Sequence, residues 1–214
     1  MRVWILVLLV TGCGGASSTD LNDGGGDAAS EAAPVDATPE ASTVTITVGS
    51  CPAAAPCGGD VTGTWTLTAG CVDDPLATAK SACPSLVVSS EDASGSGTVT
   101  FAGGIVTRSY TSHYAMDITI PTICLQGATC AQAQAAYRAY IPNTTCNAVT
   151  NGCDCAGSLD TTASQGSSYA TSNNQIVTGG GDHYDYCVNA AGDQMQYHHV
   201  SGPTVDVGSY TLTK

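Results

Sequence analysis

Hydrophobic and polar residues alternate along much of the chain after residue 60, which is the pattern of half-buried β-strands. The clearest case is residues 61–68, where the odd positions from Val61 to Leu67 fall on one face and four threonines on the other. Further short strands are predicted at residues 85–89, 98–101, 105–107, 114–120, 168–171, 175–178, 184–189, 194–200 and 208–213. The pattern therefore predicts an all-β, mainly antiparallel domain of about eight strands or more, either a closed barrel or a sandwich.

Turn residues separate several of these strands. Gly103 and Gly104 stand between two short apolar runs and predict a tight hairpin. Asn173 and Asn174 predict a second hairpin, because Asn tolerates the positive φ that two-residue hairpin turns require. Residues 190–193 form a third predicted turn.

One short helix interrupts the strands. Thr129 and Gln132 have the spacing of a capping box, in which the two side chains bind the first free backbone N–H groups. Apolar residues then recur at helical spacing from Ala133 to Ile141, and Pro142 ends the segment. Cysteines flank this helix, so we expect it to be held against the sheet as a lid or plug.

The first twelve residues have the composition of a secretory signal peptide. Arg2 supplies a positive charge, and residues 3–10 form an apolar run too short to span a bilayer, which takes about 20 residues. The run ends in Val10-Thr11-Gly12-Cys13, which resembles the lipobox of bacterial lipoproteins. This resemblance implies cleavage after residue 12 and lipidation of Cys13. The alternative is a secreted protein whose Cys13 joins a disulfide.

The lipobox resemblance also implies a location. Gly14 stands where an Asp would retain a Gram-negative lipoprotein in the inner membrane. We therefore expect an outer-membrane lipoprotein, facing the periplasm or the cell surface, with the membrane as a partner through its lipid. Residues 13–42 carry six acidic residues and no Lys or Arg. They have too little apolar surface to fold, and predict a disordered acidic tether about 30 Å in reach.

Residues 43–214 form the predicted domain, and its cysteines predict how it is stabilised. Phe101 is the only Phe, and Trp65 is the only Trp after the signal peptide, so burial of large side chains contributes little. Assigning Cys13 to lipid leaves ten of the eleven cysteines, enough for five disulfides in an oxidising compartment. These ten are Cys51, Cys57, Cys71, Cys83, Cys124, Cys130, Cys146, Cys153, Cys155 and Cys187.

Cys153 and Cys155 have two possible interpretations. Two thiols one residue apart could belong to a metal or redox site, but metal sites usually have wider cysteine spacing and further ligands. We favour disulfides, and expect Cys153 or Cys155 to be joined to Cys187. The formal net charge of −13 repels nucleic acid, so no nucleic-acid partner is predicted.

Several segments together resemble the lipocalin-like (calycin-type) lipoproteins of bacteria. They are Gly63-Thr64-Trp65, residues 166–176, Tyr186-Cys187-Val188 and residues 210–214. The resemblance implies an up-and-down β-barrel of about eight strands that binds a small apolar ligand. In lipocalins a basic residue near the last strand packs over the tryptophan of the first strand, and here the resemblance implies Lys214 over Trp65.

The interior of such a barrel has candidate lining residues. In strand register His199 shares a face with Met195 and Tyr197, whereas His198 points to the opposite side. The predicted cup-lining residues are Trp65, Tyr184, Tyr186, Met195, Tyr197 and His199. The alternative is that the same side chains simply fill the barrel.

Catalytic and metal sites are weakly indicated. Residues 182–185 combine two carboxylates with His183 and could bind Ca²⁺ or Zn²⁺, but an ordinary polar turn is favoured. No nucleophile elbow, zinc-protease motif or phosphate-binding loop is present, so no catalytic residue, metal or cofactor is predicted. Three hypotheses remain: a ligand-binding lipoprotein, a structural or interaction lipoprotein with a filled barrel, and an extracellular hydrolase using His183 or His199. No protein partner is indicated.

Overall fold

A computed structural model describes residues 42–53, 55–203 and 208–214. The predicted signal peptide, Cys13 and all but the last residue of the predicted tether lie outside these ranges. None of the helices in the described ranges is long and apolar enough to cross a membrane.

Ten strands and three helices make up the described part of the chain. Their order is β1 (Val44–Gly49), β2 (Gly63–Asp73), α1 (Ala77–Ala82), β3 (Val87–Ala102), β4 (Ile105–Pro121), α2 (Thr122–Leu125), α3 (Cys130–Arg138), β5 (Thr145–Val149), β6 (Gly152–Ser172), β7 (Gln175–Thr178), β8 (His183–Val188), β9 (Gln194–Ser201) and β10 (Gly208–Thr213).

All ten strands belong to one sheet, and its pairings close into a ring. Eight strands each have two antiparallel neighbours, in the cyclic order β2-β3-β4-β6-β7-β8-β9-β10 and back to β2. Strand β1 lies between the diverging ends of β2 and β3, parallel to β2 and antiparallel to β3. Strand β5 pairs with β6. The prediction of a mostly β, mainly antiparallel protein is confirmed.

The strands are longer than the sequence pattern predicts. The predicted strands 85–89 and 98–101 belong to β3, and 105–107 and 114–120 belong to β4. Only the end of β6 was predicted, and β1 and β5 were not predicted at all. Residues 156–168 of β6 are mostly Ala, Gly, Ser and Thr, so the strand lacks the apolar alternation that would reveal it.

The two predicted hairpin turns are confirmed by backbone geometry. Gly103 and Gly104 have φ angles of 56° and 76°, and Asn173 and Asn174 have 53° and 62°. Positive φ at both central residues is the requirement of the turn that matches the twist of paired strands.

The predicted helix is present as α3, and two further helices accompany it. The Thr129 hydroxyl accepts from the Gln132 backbone N–H at 3.3 Å, and the Gln132 side chain accepts from the Thr129 N–H at 2.9 Å, which confirms the capping box. The prediction of a single helix was wrong. Helices α1 and α2 have six and four residues, no side-chain cap and no fully buried side chain, so nothing in the sequence pattern indicates them.

Buried side chains form two clusters. The ring core consists of Val61, Trp65, Val99, Phe101, Val106, Ile176, Tyr184, Tyr186, Val188, Met195, Tyr197 and Leu212. The cap core consists of Leu76, Met116, Ile118, Ile120, Ile141, Cys153 and Cys155. Residues of α2 and α3 pack against the cap core, at the end of β4 that is remote from the Gly103–Gly104 turn.

All ten predicted cysteines form disulfides. The pairs are Cys51–Cys71, Cys57–Cys187, Cys83–Cys124, Cys130–Cys153 and Cys146–Cys155. The expected link from Cys187 to Cys153 or Cys155 was wrong. Both of those cysteines lie in the cap core, whereas Cys187 lies on β8, where the Cys57 and Gly58 backbone N–H groups bind the Tyr186 carbonyl. That contact places Cys57 beside Cys187.

Removing the Cys57–Cys187 bridge should destabilise the protein more than removing Cys51–Cys71. The bridges span 130 and 20 residues, and the longer loop gains more entropy when it is opened. We expect losses of about 4–5 and about 3 kcal/mol for the paired Cys→Ser variants, measured by denaturant unfolding.

A peptide map of the unreduced protein provides the direct check. It should contain a fragment joining Cys57 to Cys187. A fragment joining Cys187 to Cys153 or Cys155 would contradict the pairing.

Candidate functional site

A cavity of about 180 Å³ lies where β2 and β3 separate. The two strands pair only as far as Thr66 and Thr98. Thr68 of β2 is an extra, bulged residue opposite the step from Thr211 to Leu212 of β10, and beyond it β2 pairs with β1 instead of β3. The lining residues are Ile46, Leu67, Val72, Gly95, Ser96, Gly97, Thr98, Val99, Arg108, Tyr110, Thr111, Ser112, Tyr197, Tyr210 and Leu212. We call this space the interior cavity.

Two glycines of β3 allow close packing at the cavity wall. Gly95 and Gly97 occupy positions in line with Val99, which faces inward. A Cβ at Gly97 would lie 2.5 Å from the Ser109 carbonyl oxygen, so the close approach of β4 requires glycine there. A Cβ at Gly95 would lie 3.0 Å from the Ile46 side chain, so β1 also packs closely against β3 at this wall.

The cavity walls are largely apolar and aromatic. Leu67, Val99 and Leu212 contribute aliphatic surface, and Tyr197 and Tyr210 contribute two rings whose centroids lie 5.2 Å apart. The same two tyrosines line a second cavity of about 200 Å³, bordered by Pro52, Gly70 and other residues of β2, β9 and β10.

Arg108 places a cation at this cavity. On β4, residues 106, 108, 110 and 112 are more buried than the odd positions between them, so Arg108 faces the ring interior. Its guanidinium carbon lies 4.8 Å from the centroid of the Tyr184 ring. Within the described ranges, Arg108 forms no salt bridge and no hydrogen bond.

The other basic residues of the described ranges have different surroundings. Lys80 binds two carboxylates, and the Arg138 Nε donates to the Thr144 carbonyl at 2.7 Å. The Lys214 Nζ lies 4.4 Å from the centroid of the Trp65 ring, and Trp65 donates from Nε1 to the Val61 carbonyl. The position of Lys214 is the one that the lipocalin resemblance implies.

The predicted cup-lining residues occupy two places. Tyr197 lines the interior cavity and also belongs to the ring core. Trp65, Tyr184, Tyr186 and Met195 lie in the ring core and are at most 4% exposed. His199 is buried, with its ring centroid 5.2 Å from that of Tyr184. His198 points to the other face of β9 and contacts Ser209, as the strand register predicts.

Residues 182–185, of which the last three begin β8, do not gather their charged side chains at one point. Asp182 is buried, with one carboxylate oxygen 3.8 Å from the His199 Nε2, whereas Asp185 accepts from Gln175. Across the described ranges, no group of three or more His, Cys, Asp or Glu residues is placed to hold a metal ion.

A charged cluster joins α1 to the sheet. The Lys80 Nζ donates to Asp74 at 2.6 Å and to Glu91 at 3.0 Å, and the Tyr114 hydroxyl donates to Glu91 at 2.7 Å. Burial opposes the charge on Asp74, but the bonds from Lys80 and the Leu76 N–H outweigh it, so the pKa of the carboxyl is lowered. Burial, then the bond to Glu91, raises the pKa of Tyr114. We interpret this cluster as structural.

His113 and Asp160 form a pair that the sequence did not indicate. The His113 Nδ1 lies 2.7 Å from Asp160, and both side chains are exposed. Ser94 is the cross-strand neighbour of His113 on β3. Within the described ranges no hydrogen bond joins Ser94 to His113.

Sequence reasoning also missed Arg108, Tyr110 and Tyr210 as cavity residues. The predicted strands 105–107 and 114–120 left Arg108 in a connecting segment. Part of the signal was available, because the apolar residues at even positions from Val106 to Ile120 share one face, although the polar Arg108 and Ser112 interrupt the series. Extending the predicted strand 114–120 back to Val106 would have placed Arg108 and Tyr110 on the inward face.

Comparison with known proteins finds no matching family model, no similar curated protein and no similar solved structure. The class of protein that the fold defines is therefore a disulfide-rich β-sheet ring with an interior cavity.

Replacing Lys80 with Met should destabilise the protein in a pH-dependent way. We expect a loss of roughly 1 kcal/mol near pH 7, since more than a third of the Lys80 side chain is exposed to solvent. A lowered carboxyl pKa contributes stability above its unfolded value near 3.8, and that stability is lost as pH falls through the folded value. The difference from wild type should therefore shrink below about pH 4.

At high pH the stability difference between the wild type and Lys80→Met should also shrink, this time as pH rises. Burial disfavours the Lys80 charge, but Asp74 and Glu91 outweigh it and raise the pKa of Lys80 above 10.5. The stability that the charged Lys80 contributes is lost as pH rises through its folded pKa, which lies above 10.5. Urea unfolding across the pH range measures both limbs, with Arg138→Met as a control whose difference should not follow this profile. A difference for Lys80→Met that is constant with pH would contradict the assignment.

Proposed function

We propose that the protein is a membrane-anchored, extracytoplasmic lipoprotein whose β domain binds a small, mostly apolar molecule in the interior cavity. Different residues support the membrane anchor, the barrel and the bound ligand, and separate experiments test the anchor and the ligand.

The anchor is supported by sequence and by the disulfide arrangement. The eleven cysteines include ten that form five bridges, so Cys13 is the one left over. A leftover cysteine in the lipobox sequence Val10-Thr11-Gly12-Cys13 is the acceptor that lipidation requires. Five disulfides also suit an oxidising compartment outside the cytoplasm. We assign the protein to the outer membrane of a Gram-negative envelope because Gly14 follows Cys13.

The ring supports a lipocalin-like, up-and-down barrel. Its eight strands follow one another in chain order, with the other elements inserted between them. Trp65 lies on β2, the first strand of the ring. Lys214 follows β10, the last strand, and its ammonium group packs over the Trp65 ring. Two features depart from a simple barrel: the wedge formed by β1 and the excursion through α2, α3 and β5.

The interior cavity is the observation that carries the ligand proposal. A protein cavity of about 150 Å³ with apolar walls holds a benzene molecule. At about 180 Å³, the interior cavity has room for a ligand of one ring and a short substituent. Burial of apolar ligand surface against Leu67, Val99 and Leu212 would provide the main driving force.

A structural lipoprotein with a filled barrel is the second candidate. The closely packed ring core favours it, because Trp65, Tyr184 and Met195 are almost completely buried by protein atoms. The two candidates differ in whether the interior cavity is occupied when the protein is isolated from its envelope.

The full-length protein isolated from its envelope should carry a discrete small molecule. Native mass spectrometry should detect a mass that is lost on denaturation. Ser112→Phe should reduce capture roughly tenfold or more, because residue 112 lines the cavity and the larger side chain would fill it. Ser109→Phe, on the exposed face of the same strand, is the matched control and should retain capture. A bare mass for the wild type would favour the filled barrel.

Replacing Cys13 with Ser should release the protein from the membrane. In a Gram-negative host, the wild type should partition with outer-membrane vesicles and carry the mass of its acyl groups. The variant cannot accept a diacylglycerol group, so it should not sediment with the membranes. A wild-type protein that is soluble after removal of residues 1–12 would refute lipidation.

A further inference from the structure

We infer that the ligand is a small aromatic carboxylate, and that Arg108 binds its carboxylate group. This inference rests on the proposed function, since it names the chemical class that the interior cavity would take. Neither the sequence pattern nor the apolar walls alone lead to it.

Arg108 has no counter-ion among the described residues. Its side chain is half-buried, and the five N–H donors of a guanidinium need partners wherever protein shields them from water. The guanidinium lies over the face of the Tyr184 ring, which attracts the charge but accepts no conventional hydrogen bond. In a chain with 18 acidic and 5 basic residues, an inward Arg with no carboxylate partner in the described ranges is an available anion site.

The geometry of Arg108 favours a carboxylate. The planar fork of a guanidinium binds both oxygens of a carboxylate through two parallel hydrogen bonds. Among the described residues that line the cavity, Arg108 alone is charged, so it can neutralise one negative charge but not two. A singly charged carboxylate therefore fits better than a phosphate, which carries nearly two charges at neutral pH.

The remaining walls favour an aromatic body of limited length. Tyr110, Tyr197 and Tyr210 line the cavity, and aromatic rings gain stabilisation when they pack edge-to-face or offset against one another. At about 180 Å³, the space accommodates one ring with a short substituent. Benzoate and 3-phenylpropionate are therefore suitable probes, and palmitate tests whether a long acyl chain is accepted instead.

Isothermal titration calorimetry of the detergent-solubilised full-length protein, stripped of endogenous ligand, tests the inference. We expect benzoate or 3-phenylpropionate to bind about 10- to 100-fold more tightly than benzamide or 3-phenylpropionamide, since hydrogen bonds between charged groups are stronger than neutral ones. Palmitate should bind more weakly than either acid. Acids and amides of equal affinity would overturn the inference and leave the proposed function standing. If neither the acids nor the amides bind, the inference fails, and native mass spectrometry of the isolated protein decides the proposed function separately.

Variants of Arg108 separate its charge from its shape. Arg108→Met retains a long side chain over Tyr184 but should remove the preference for acids over amides. Arg108→Lys keeps the charge and loses the fork, so it should retain part of the preference. Arg138→Met, remote from the cavity lining, is the matched control and should bind as the wild type does. Undiminished acid binding by a folded Arg108→Met protein would overturn the role of Arg108. If that variant does not fold, the comparison of acids with amides in the wild type still tests the inference.

Discussion

Strand β4 is hydrogen-bonded to β6 along its whole length, from Ile105 opposite Ser168 to Pro121 opposite Gly152. The two strands are separated in the chain by α2, α3 and β5, so this pairing forms only when distant parts of the chain meet. It satisfies edges of β4 and β6 that would otherwise present unpaired N–H and carbonyl groups to other chains. It also closes the ring, which gives the inward faces of eight strands a common interior.

The closed ring still has few large side chains to enclose. The buried side chains are divided between the ring core and the cap core, and the cap core includes Cys153 and Cys155. Four of the five disulfides involve residues on the ring strands or on β5, so covalent links supplement a core with a single Phe and a single Trp. Disulfides of this kind stabilise mainly by restricting the unfolded chain. Helices α1 and α2 have no fully buried side chain and depend on such a link. The Cys83–Cys124 disulfide joins the residue that ends α1 to a residue within α2.

The interior cavity lies at an irregular part of the ring. Strand β2 leaves β3 after Thr66, the bulge opposite Thr211 and Leu212 shifts its register, and β1 enters between the two diverging strands. Bulges bend a strand and re-aim its side chains, and here Gly95 and Gly97 line the space beside the bend. Arg108 faces this space, with the Tyr184 ring beneath it and no carboxylate of the described residues bound to it. The irregularity that creates room for a ligand is thus next to the one charge that could orient it.

The sequence by itself determined the β class, the two hairpin turns, the capped helix, the set of bridged cysteines and the inward face of β9. The β class, the turns, the helix and the face of β9 depend on near neighbours in the chain: alternation with period two, turn residues with positive φ, and a three-residue capping interval. The set of bridged cysteines follows from the cysteine count. Tertiary structure alone decided which cysteines pair, because Cys57 reaches Cys187 through a contact 130 residues away. It alone decided that β6 is a strand, since its small polar residues pair with β4 instead of following an apolar pattern. The cavity belongs to the same group, because the volume between β2 and β3 depends on how strands far apart in sequence diverge, and no local pattern records that distance.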